Sequence, residues 1–187
     1  QENDNATWAL ARMNMILHGN ETHEIAQGNT IADPKFKEAG GLMTFDYIVA
    51  NPPFSVKTWK NGLENDFGRF EGFAPPPDKN GDYAFLLHMI KSLKSTGRAA
   101  VILPRGVLFR GHSEAQIRKE LVRRGYIKAI IGLPTNLFYG TGIPACIVLI
   151  DKSDSSARKG IFMVDASRGF EKDGPKNRLR PRDVHKI

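Results

Sequence analysis

The sequence predicts an α/β fold with a mostly parallel sheet, because apolar runs of strand length alternate with stretches that have helical periodicity. The run at residues 99–103 is continuously apolar, which is typical of parallel strands that are covered on both faces. The chain has 187 residues, of which 41% are hydrophobic, so it can bury one sizeable core. We therefore expect one domain that spans residues 1–187.

The first predicted elements are a helix at residues 6–17 and a strand at residues 45–50. Five apolar residues of the helix recur at helical spacing: Ala6, Ala9, Leu10, Met13 and Leu17. Asn5 is the expected N-cap and Gly19 the expected stop, and we expect the apolar stripe to pack in the core. The strand is apolar and leads directly into the sequence Asn-Pro-Pro-Phe.

Two further helices alternate with the remaining strands. A helix at residues 83–93 should begin at the cap Asp82, and four of its apolar residues share one stripe. These four are Leu86, Met89, Ile90 and Leu93. The next helix should begin at the capping-box pair Ser113 and Gln116 and end at Gly125. The other strands are predicted at residues 99–103, 127–133, 145–150 and 160–164.

Residues 51–54 have the clearest chemical character in the chain. Asn51 offers a side-chain carbonyl, and Pro52 and Pro53 lack a backbone N–H, so this turn can mainly accept hydrogen bonds. If the Asn51 side chain and the Pro52 carbonyl each accept one N–H of an aromatic amine, the nitrogen lone pair turns toward an electrophile. Fixed dipoles then stabilise the developing positive charge, and the Phe54 ring can stack on the substrate. The alternative is a turn that only ends the strand.

The motif Asn51-Pro52-Pro53-Phe54 resembles the catalytic motif of amino-methyltransferases that use S-adenosylmethionine and act on adenine N6 in DNA. Other segments along the whole chain resemble the modification subunit of type I restriction-modification systems. They are Gln1-Glu2-Asn3, Leu10-Ala11-Arg12-Met13-Asn14-Met15, Gly28-Asn29-Thr30, Ala84-Phe85, Leu108-Phe109-Arg110-Gly111, Ile117-Arg118-Lys119, Gly132-Leu133-Pro134 and Asp165-Ala166-Ser167. The resemblance implies a Rossmann-like methyltransferase fold with a mostly parallel sheet and one antiparallel strand near the C-terminus.

The resemblance also implies the roles of individual residues. Asn51 and Pro52 would accept the hydrogens of the target amino group, Pro53 would contact the base, and Phe54 would be catalytic as its stacking platform. For S-adenosylmethionine, Asn51 would be joined by two further residues. Glu2 occupies the place of the acidic residue that binds ribose hydroxyls, although a surface glutamate at a frayed terminus is an alternative. Asn29 matches a polar position near the cofactor and the adenine.

The N-terminal part of such a fold is expected to be incomplete. The sequence does not begin with methionine, and the glycine-rich turn that should precede Glu2 is absent. We therefore expect a fragment of the catalytic domain that binds S-adenosylmethionine poorly and is inactive when isolated.

Residues 55–82 predict a long mobile loop. They contain four glycines, three consecutive prolines and the aromatic residues Trp59, Phe67, Phe70 and Phe73. Because the loop directly follows the Asn-Pro-Pro-Phe turn, we expect a lid that closes over a nucleobase extruded from the duplex. A flexible surface insertion is the alternative.

The charge distribution points to nucleic acid. Residues 152–187, a basic C-terminal segment, hold ten Lys/Arg and five Asp/Glu, which gives +5 of the total net charge of +7. A second basic group surrounds the helix after residue 112 and consists of Arg110, Arg118, Lys119, Arg123, Arg124 and Lys128. The C-terminal segment is alternatively a solvated, partly mobile surface, and the second group could contact phosphate or a partner subunit. The resemblance implies DNA, a specificity subunit and a restriction subunit as partners, in the cytoplasm of a bacterium or archaeon.

Several other functions lack support in the sequence. The five histidines do not have the spacing of metal ligands, so no metal site is expected. No stretch is long and apolar enough for a membrane span, and the single cysteine, Cys146, is expected to be buried. Two alternatives stay open: a protein-glutamine N5 methyltransferase, which also uses an Asn-Pro-Pro turn, and a non-catalytic module that binds DNA or subunits.

Overall fold

The computed structural model describes residues 1–187 and has a five-stranded mixed sheet at its centre. The elements in chain order are α1 (Asn5–Leu17), β1 (Lys37–Glu38), β2 (Gly41–Leu42), β3 (Phe45–Ala50), α2 (Asp82–Lys91), β4 (Leu93–Pro104), α3 (His112–Arg123), β5 (Ile127–Gly132), β6 (Ala145–Asp151), β7 (Phe162–Asp165), β8 (Glu171–Asp173), β9 (Lys176–Arg178) and α4 (Pro181–Val184). Single 3₁₀ turns lie at Arg105–Leu108 and Ser155–Ala157.

The strand order in the main sheet is β3-β4-β6-β5-β7. β3 runs parallel to β4, and β7 runs parallel to β5, whereas β6 is antiparallel to both of its neighbours. The mixed α/β fold and its single antiparallel strand are therefore confirmed. Ala50 at the end of β3 lies opposite Val101, and Pro104 at the end of β4 lies opposite Ala145. The loops after β3, β4 and β5 and the start of β6 consequently all lie at the same end of the sheet strands.

One face of the sheet holds the main core, a cluster of 17 buried residues. α2 contributes Leu86 and Leu87, and α3 contributes Ile117 and Leu121, which pack against the central strands. Burial of each such side chain stabilises the fold by about 1.5–3 kcal/mol. Cys146 is part of this cluster and fully buried, and burial raises the pKa of its thiol to about 11. None of the helices combines the length and the apolar character that a membrane crossing requires.

The prediction that the apolar stripe of α1 packs in the core is wrong. No residue of α1 is buried, and Leu10, Met13 and Leu17 are 64%, 58% and 80% exposed. The helix is instead held by Trp8, whose indole N–H donates to the Ile25 carbonyl at 2.7 Å. Helical spacing predicts that apolar residues share a face, but it does not show whether anything covers that face.

Two helix-start predictions need correction. α1 is capped by Asp4 and not by Asn5, because the Asp4 carboxylate accepts the Thr7 N–H at 2.7 Å. α3 begins at His112 after Gly111, and its start has no side-chain cap, so the capping box of Ser113 and Gln116 is absent.

α2 also differs from the prediction at both ends. Its N-cap is Gly81, and Asp82 is the first helical residue. The Asp82 carboxylate accepts the Ser55 N–H and does not cap the helix. Leu93 begins β4 and does not end the helix. Several neighbouring polar residues satisfy the local capping rule equally well, and tertiary contacts decide among them.

The basic group around α3 is largely engaged within the protein. Arg123 and Arg124 both pair with Glu120, and Lys128 pairs with Asp151. Arg118 donates to the Val107 carbonyl, and Arg110 binds the buried carboxylates of Asp82 and Glu114. Lys119 makes no such contact, and Arg123 and Lys128 stay more than half exposed despite their ion pairs, so contact of this group with phosphate stays a prediction.

β3 is an edge strand, and one of its faces is open. Tyr47 and Val49 are 73% and 84% exposed, whereas Ile48 and Ala50 are partly buried against the main core. This alternation matches the two-residue period of a strand that is covered on one face only.

Candidate active site

The turn Asn51–Phe54 directly follows β3, at the end of the sheet where β4 and β5 also end. Asn51 is exposed and Pro52 is buried. Neither the Asn51 side-chain amide nor the Pro52 carbonyl makes a hydrogen bond within the protein, so both oxygens can accept hydrogens from a ligand. Ligands of open α/β sheets bind at the carboxyl ends of the strands, where this turn lies.

Asn51 borders two adjoining cavities of about 430 and 480 Å³. The cavity of about 430 Å³ is lined by apolar residues of β3 and by residues of the segment before it. The other brings four of the predicted site residues together: Glu2, Asn29, Asn51 and Pro53. Six residues line both cavities, namely Gln1, Glu2, Thr30, Asn51, Pro53 and Phe85. Pro52 lines only the first.

Glu2 is held firmly at the wall of these cavities. Its backbone N–H donates to the Ala26 carbonyl at 3.0 Å, and its own carbonyl accepts the Gly28 N–H at 2.9 Å. One carboxylate oxygen, Oε1, accepts the Asp4 N–H at 2.8 Å. The other oxygen makes no hydrogen bond within the protein, so it is available to a ligand.

Asn29 presents a donor to the same space. Its Oδ1 accepts the N–H groups of Ile31 and Ala32 at 2.9 and 3.1 Å, which forms a turn closed by the side chain. The oxygen is therefore occupied, and the Nδ2 group is the part of the amide that can serve a ligand.

Phe54 is separated from the other predicted site residues. It lines neither cavity, and its ring meets Phe138 edge to face with 6.1 Å between centroids and 81° between planes. Phe138 lies in the β5–β6 loop, and both rings pack against the buried cluster of Ile131, Leu133 and Ala145. The stacking role of Phe54 stays a prediction.

The turn is held in place by a buried ionic group that the sequence does not predict. Ser55, the residue after Phe54, has a left-handed backbone (φ 54°), and its N–H donates to the Asp82 carboxylate at 2.7 Å. The Asp82 side chain is fully buried and pairs with Arg110 Nη2 at 2.6 Å. Arg110 Nε in turn binds the buried Glu114 carboxylate at 2.5 Å. These residues lie 27 to 59 positions from Ser55 along the chain, so no local spacing could have indicated them.

Residues 55–81 contain no helix or strand, and α2 begins at Asp82, but the side chains that anchor this loop are buried. Trp59 is 4% exposed and packs edge to face on Phe70 at 5.8 Å. Arg69 is 2% exposed, and its guanidinium donates to the carbonyls of Ile31 and Asn65 at 2.8 and 3.0 Å. This buried cation joins the loop to the Asn29 turn. The mobility of the loop and its role as a lid stay predictions.

His88 lines the cavity beside Pro52. Its Nδ1 lies 3.4 Å from Arg69 Nη1. Burial, and secondarily the positive charge of Arg69, lower the pKa of His88 to about 4. The imidazole is therefore neutral at physiological pH, and we expect it to line the cavity as an uncharged group.

We expect the neutral state of His88 to make the protein acid-sensitive. Its folded pKa of about 4 lies below the unfolded value of about 6.5, so between these pH values the unfolded state binds more protons. The stabilisation is complete above pH 6.5 and is lost as the pH falls toward 4, by about 3 kcal/mol. Urea unfolding at several pH values should show this slope, and His88→Gln should flatten it. Equal slopes in both proteins would contradict the assignment.

The entire chain, residues 1–187, matches the family model described as N-6 DNA methylase. The type I restriction enzyme MpnII methylase subunit of Mycoplasma pneumoniae is 33% identical over 197 residues, which cover 100% of this chain and 36% of that protein. The MjaVII methylase subunit of Methanocaldococcus jannaschii is also 33% identical, over 100% of this chain and 34% of that protein. The chain thus spans about a third of the length of these relatives.

Solved structures show the same similarity. The type I restriction-modification methyltransferase subunit from Streptococcus thermophilus has a TM-score of 0.87 and 35% identity, over 99% of this chain and 39% of that one. A modification subunit of a putative type I restriction enzyme from Vibrio vulnificus has a TM-score of 0.73 at 24% identity, over 98% and 38%, which supports the fold.

Proposed function

This chain belongs to the N-6 DNA methylase family, and we propose that it forms part of the catalytic centre of a type I modification subunit. The proposed reaction transfers a methyl group from S-adenosylmethionine to the N6 atom of adenine in DNA. The observation that carries this proposal is the pair of free acceptors, the Asn51 amide oxygen and the Pro52 carbonyl, beside cavities that Glu2 and Asn29 also line.

The cavity residues fit the ribose and adenine portions of S-adenosylmethionine. The free carboxylate oxygen of Glu2 suits a ribose hydroxyl, because a carboxylate is a strong acceptor for an O–H donor. The apolar side chains of Pro34, Phe36 and Met43 line the adjoining cavity of about 430 Å³ and suit a flat ring. When bound, the cofactor supplies an electrophilic methyl group.

The contribution of the chain is to orient and activate the amine. An exocyclic amino group shares its lone pair with the purine ring and is a weak nucleophile. With one N–H bound to Asn51 Oδ1 and the other to the Pro52 carbonyl, the nitrogen is drawn out of conjugation, and fixed dipoles stabilise its developing charge. Pro52 and Pro53 have no backbone N–H, so neither residue offers a main-chain donor that competes with the amine.

The proposal includes DNA as substrate, with a specificity subunit and a restriction subunit as partners. The basic segment at residues 152–187 supports contact with the DNA backbone. We also propose a cytoplasmic location, since the relatives are restriction-modification enzymes of bacteria and archaea. Methylation of a protein glutamine is not favoured, because the relatives act in restriction-modification systems.

The decisive experiment uses the full-length polypeptide that carries this chain, assembled with its specificity subunit. Incubation with methyl-labelled S-adenosylmethionine and genomic DNA should place the label in N6-methyladenine, as measured by nucleoside mass spectrometry. Label on a protein glutamine would instead establish the rival activity. No transfer to either substrate by a correctly assembled complex would support a non-catalytic module and overturn the proposal.

A further inference from the structure

The β5–β6 loop carries the most exposed large apolar side chain of the protein. Tyr139 is 92% exposed, and it stands between the partly buried Phe138 and Gly140, which has a left-handed backbone (φ 76°). An aromatic side chain offers a large apolar surface, and its complete exposure to water is unfavourable unless a partner covers it.

The exposure of Tyr139 is not a result of a loose loop. Lys176 on β9 donates to the carbonyls of Phe138 and Thr141 at 2.7 and 3.2 Å, one on each side of the tip. Asn177 donates its side-chain amide to the Thr135 carbonyl at 2.7 Å. The loop is therefore fastened at its base and near its tip, and it presents Tyr139 outward from a fixed backbone.

This loop lies next to the proposed methylation site. The β5–β6 loop and the Asn51–Phe54 turn lie at the same end of the sheet strands. Phe138, the neighbour of Tyr139, touches Phe54 edge to face, and Phe54 directly follows Pro53 in the turn. Tyr139 is thus connected to the turn that carries the proposed acceptors through the contact between Phe138 and Phe54.

Basic side chains lie at the base of the loop. β8 and β9, which support it, carry Lys172, Lys176 and Arg178. Arg178 pairs with Glu171 and Asp173 of β8, whereas the two lysines have no carboxylate partner. Lys172 makes no ion pair and is exposed, so it is free to contact a phosphate. An exposed aromatic ring on a fixed loop beside basic residues has the chemistry of a side chain that inserts between stacked bases.

We propose that Tyr139 inserts into the DNA base stack at the position that the target adenine vacates. This inference rests on the proposed adenine methylation. A base inside a duplex must leave the stack to reach the site, at the cost of lost pairing and stacking. The tyrosine ring restores stacking in the gap and so shifts the equilibrium toward the extruded base, on the order of 10- to 100-fold.

The test compares matched DNA with DNA in which the target adenine faces an abasic site, so that extrusion costs less. In the full-length subunit with its specificity subunit, Tyr139→Ala should lower the single-turnover methylation rate on matched DNA about 10- to 100-fold. On the abasic substrate the same variant should be within about threefold of the unmodified protein, because extrusion no longer limits the rate. Tyr139→Phe and Tyr139→Trp should retain the rate on both substrates. Fluorescence of 2-aminopurine at the target position reports extrusion directly.

Phe162→Ala is a matched control, because Phe162 is also an exposed aromatic residue, at 70%, but begins β7, opposite Ala129 and away from the loop. It should leave both rates unchanged. An equal loss on matched and abasic DNA with Tyr139→Ala, or no loss on either, would overturn the inference. Failure of this variant to assemble would also overturn it and identify Tyr139 as a subunit contact. Absence of methylation by the unmodified complex on both substrates would mark the failure of the proposed function instead.

Discussion

Asn51→Ala should reduce methyl transfer by about 10²–10³-fold in single-turnover measurements, with little change in the affinity for S-adenosylmethionine. The substitution removes the side-chain oxygen that is proposed to accept one hydrogen of the adenine amino group. That oxygen has no partner within the protein, so its loss leaves no buried group unsatisfied and should not destabilise the fold. The effect should therefore appear in the rate of the chemical step.

Asn51→Asp tests whether the reaction depends on a hydrogen-bond acceptor at this position or on the amide group itself. The carboxylate keeps an acceptor at the same place and should retain more of the rate than alanine does. Asn61→Ala, at an exposed position of the 55–82 loop, is a control that should not change the rate. Undiminished transfer by Asn51→Ala, or a loss explained entirely by weaker cofactor binding, would refute the assigned role.

Asp82→Ala should lower the free energy of unfolding by about 3–5 kcal/mol. The change leaves Arg110 facing only one of its two carboxylates and leaves the Ser55 N–H without an acceptor, both in a part of the protein that is mostly buried. Urea unfolding should report the loss. Faster hydrogen exchange of the Ser55 amide should report that the turn after Phe54 has lost its support.

Asp46→Ala provides the matched comparison. Asp46 also pairs with a cation, Lys94, but its side chain is 64% exposed, and such surface pairs contribute about 0–1 kcal/mol. We expect Asp82→Asn to fall between the two variants, because the amide oxygen can still accept the Ser55 N–H. Similar small losses for Asp82→Ala and Asp46→Ala would show that the buried network does not support the turn.

The regular elements were predictable because their signals are local. The strand before the Asn-Pro-Pro-Phe turn lies at Phe45–Ala50, as its apolar run indicates, and the stripe of Leu86, Met89 and Ile90 is buried. The antiparallel strand came from the family resemblance, since an apolar run carries no information about its direction. Burial of α1 could not be predicted, because periodicity describes a face and not the surface that covers it.

The candidate site was predictable in part. Asn51 and Pro53 meet Glu2 and Asn29 at one cavity, although these residues are far apart in the chain, and Pro52 lines the adjoining cavity. The contact of Asp82 with Ser55 was missed, because an aspartate before a helical stretch has an adequate local explanation as a cap. The edge-on contact of Phe54 with Phe138 depends on a loop 84 residues later, which no short pattern encodes.

The open edge of β3 has a practical consequence for handling this polypeptide. An edge strand exposes a row of unpaired backbone groups, and in β3 these accompany the apolar side chains Tyr47 and Val49. Its one surface ion pair, Asp46 with Lys94, is a weak safeguard against intermolecular strand addition. When the chain is produced by itself, self-association through this strand will compete with solubility, and a charged residue in place of Val49 offers a simple remedy.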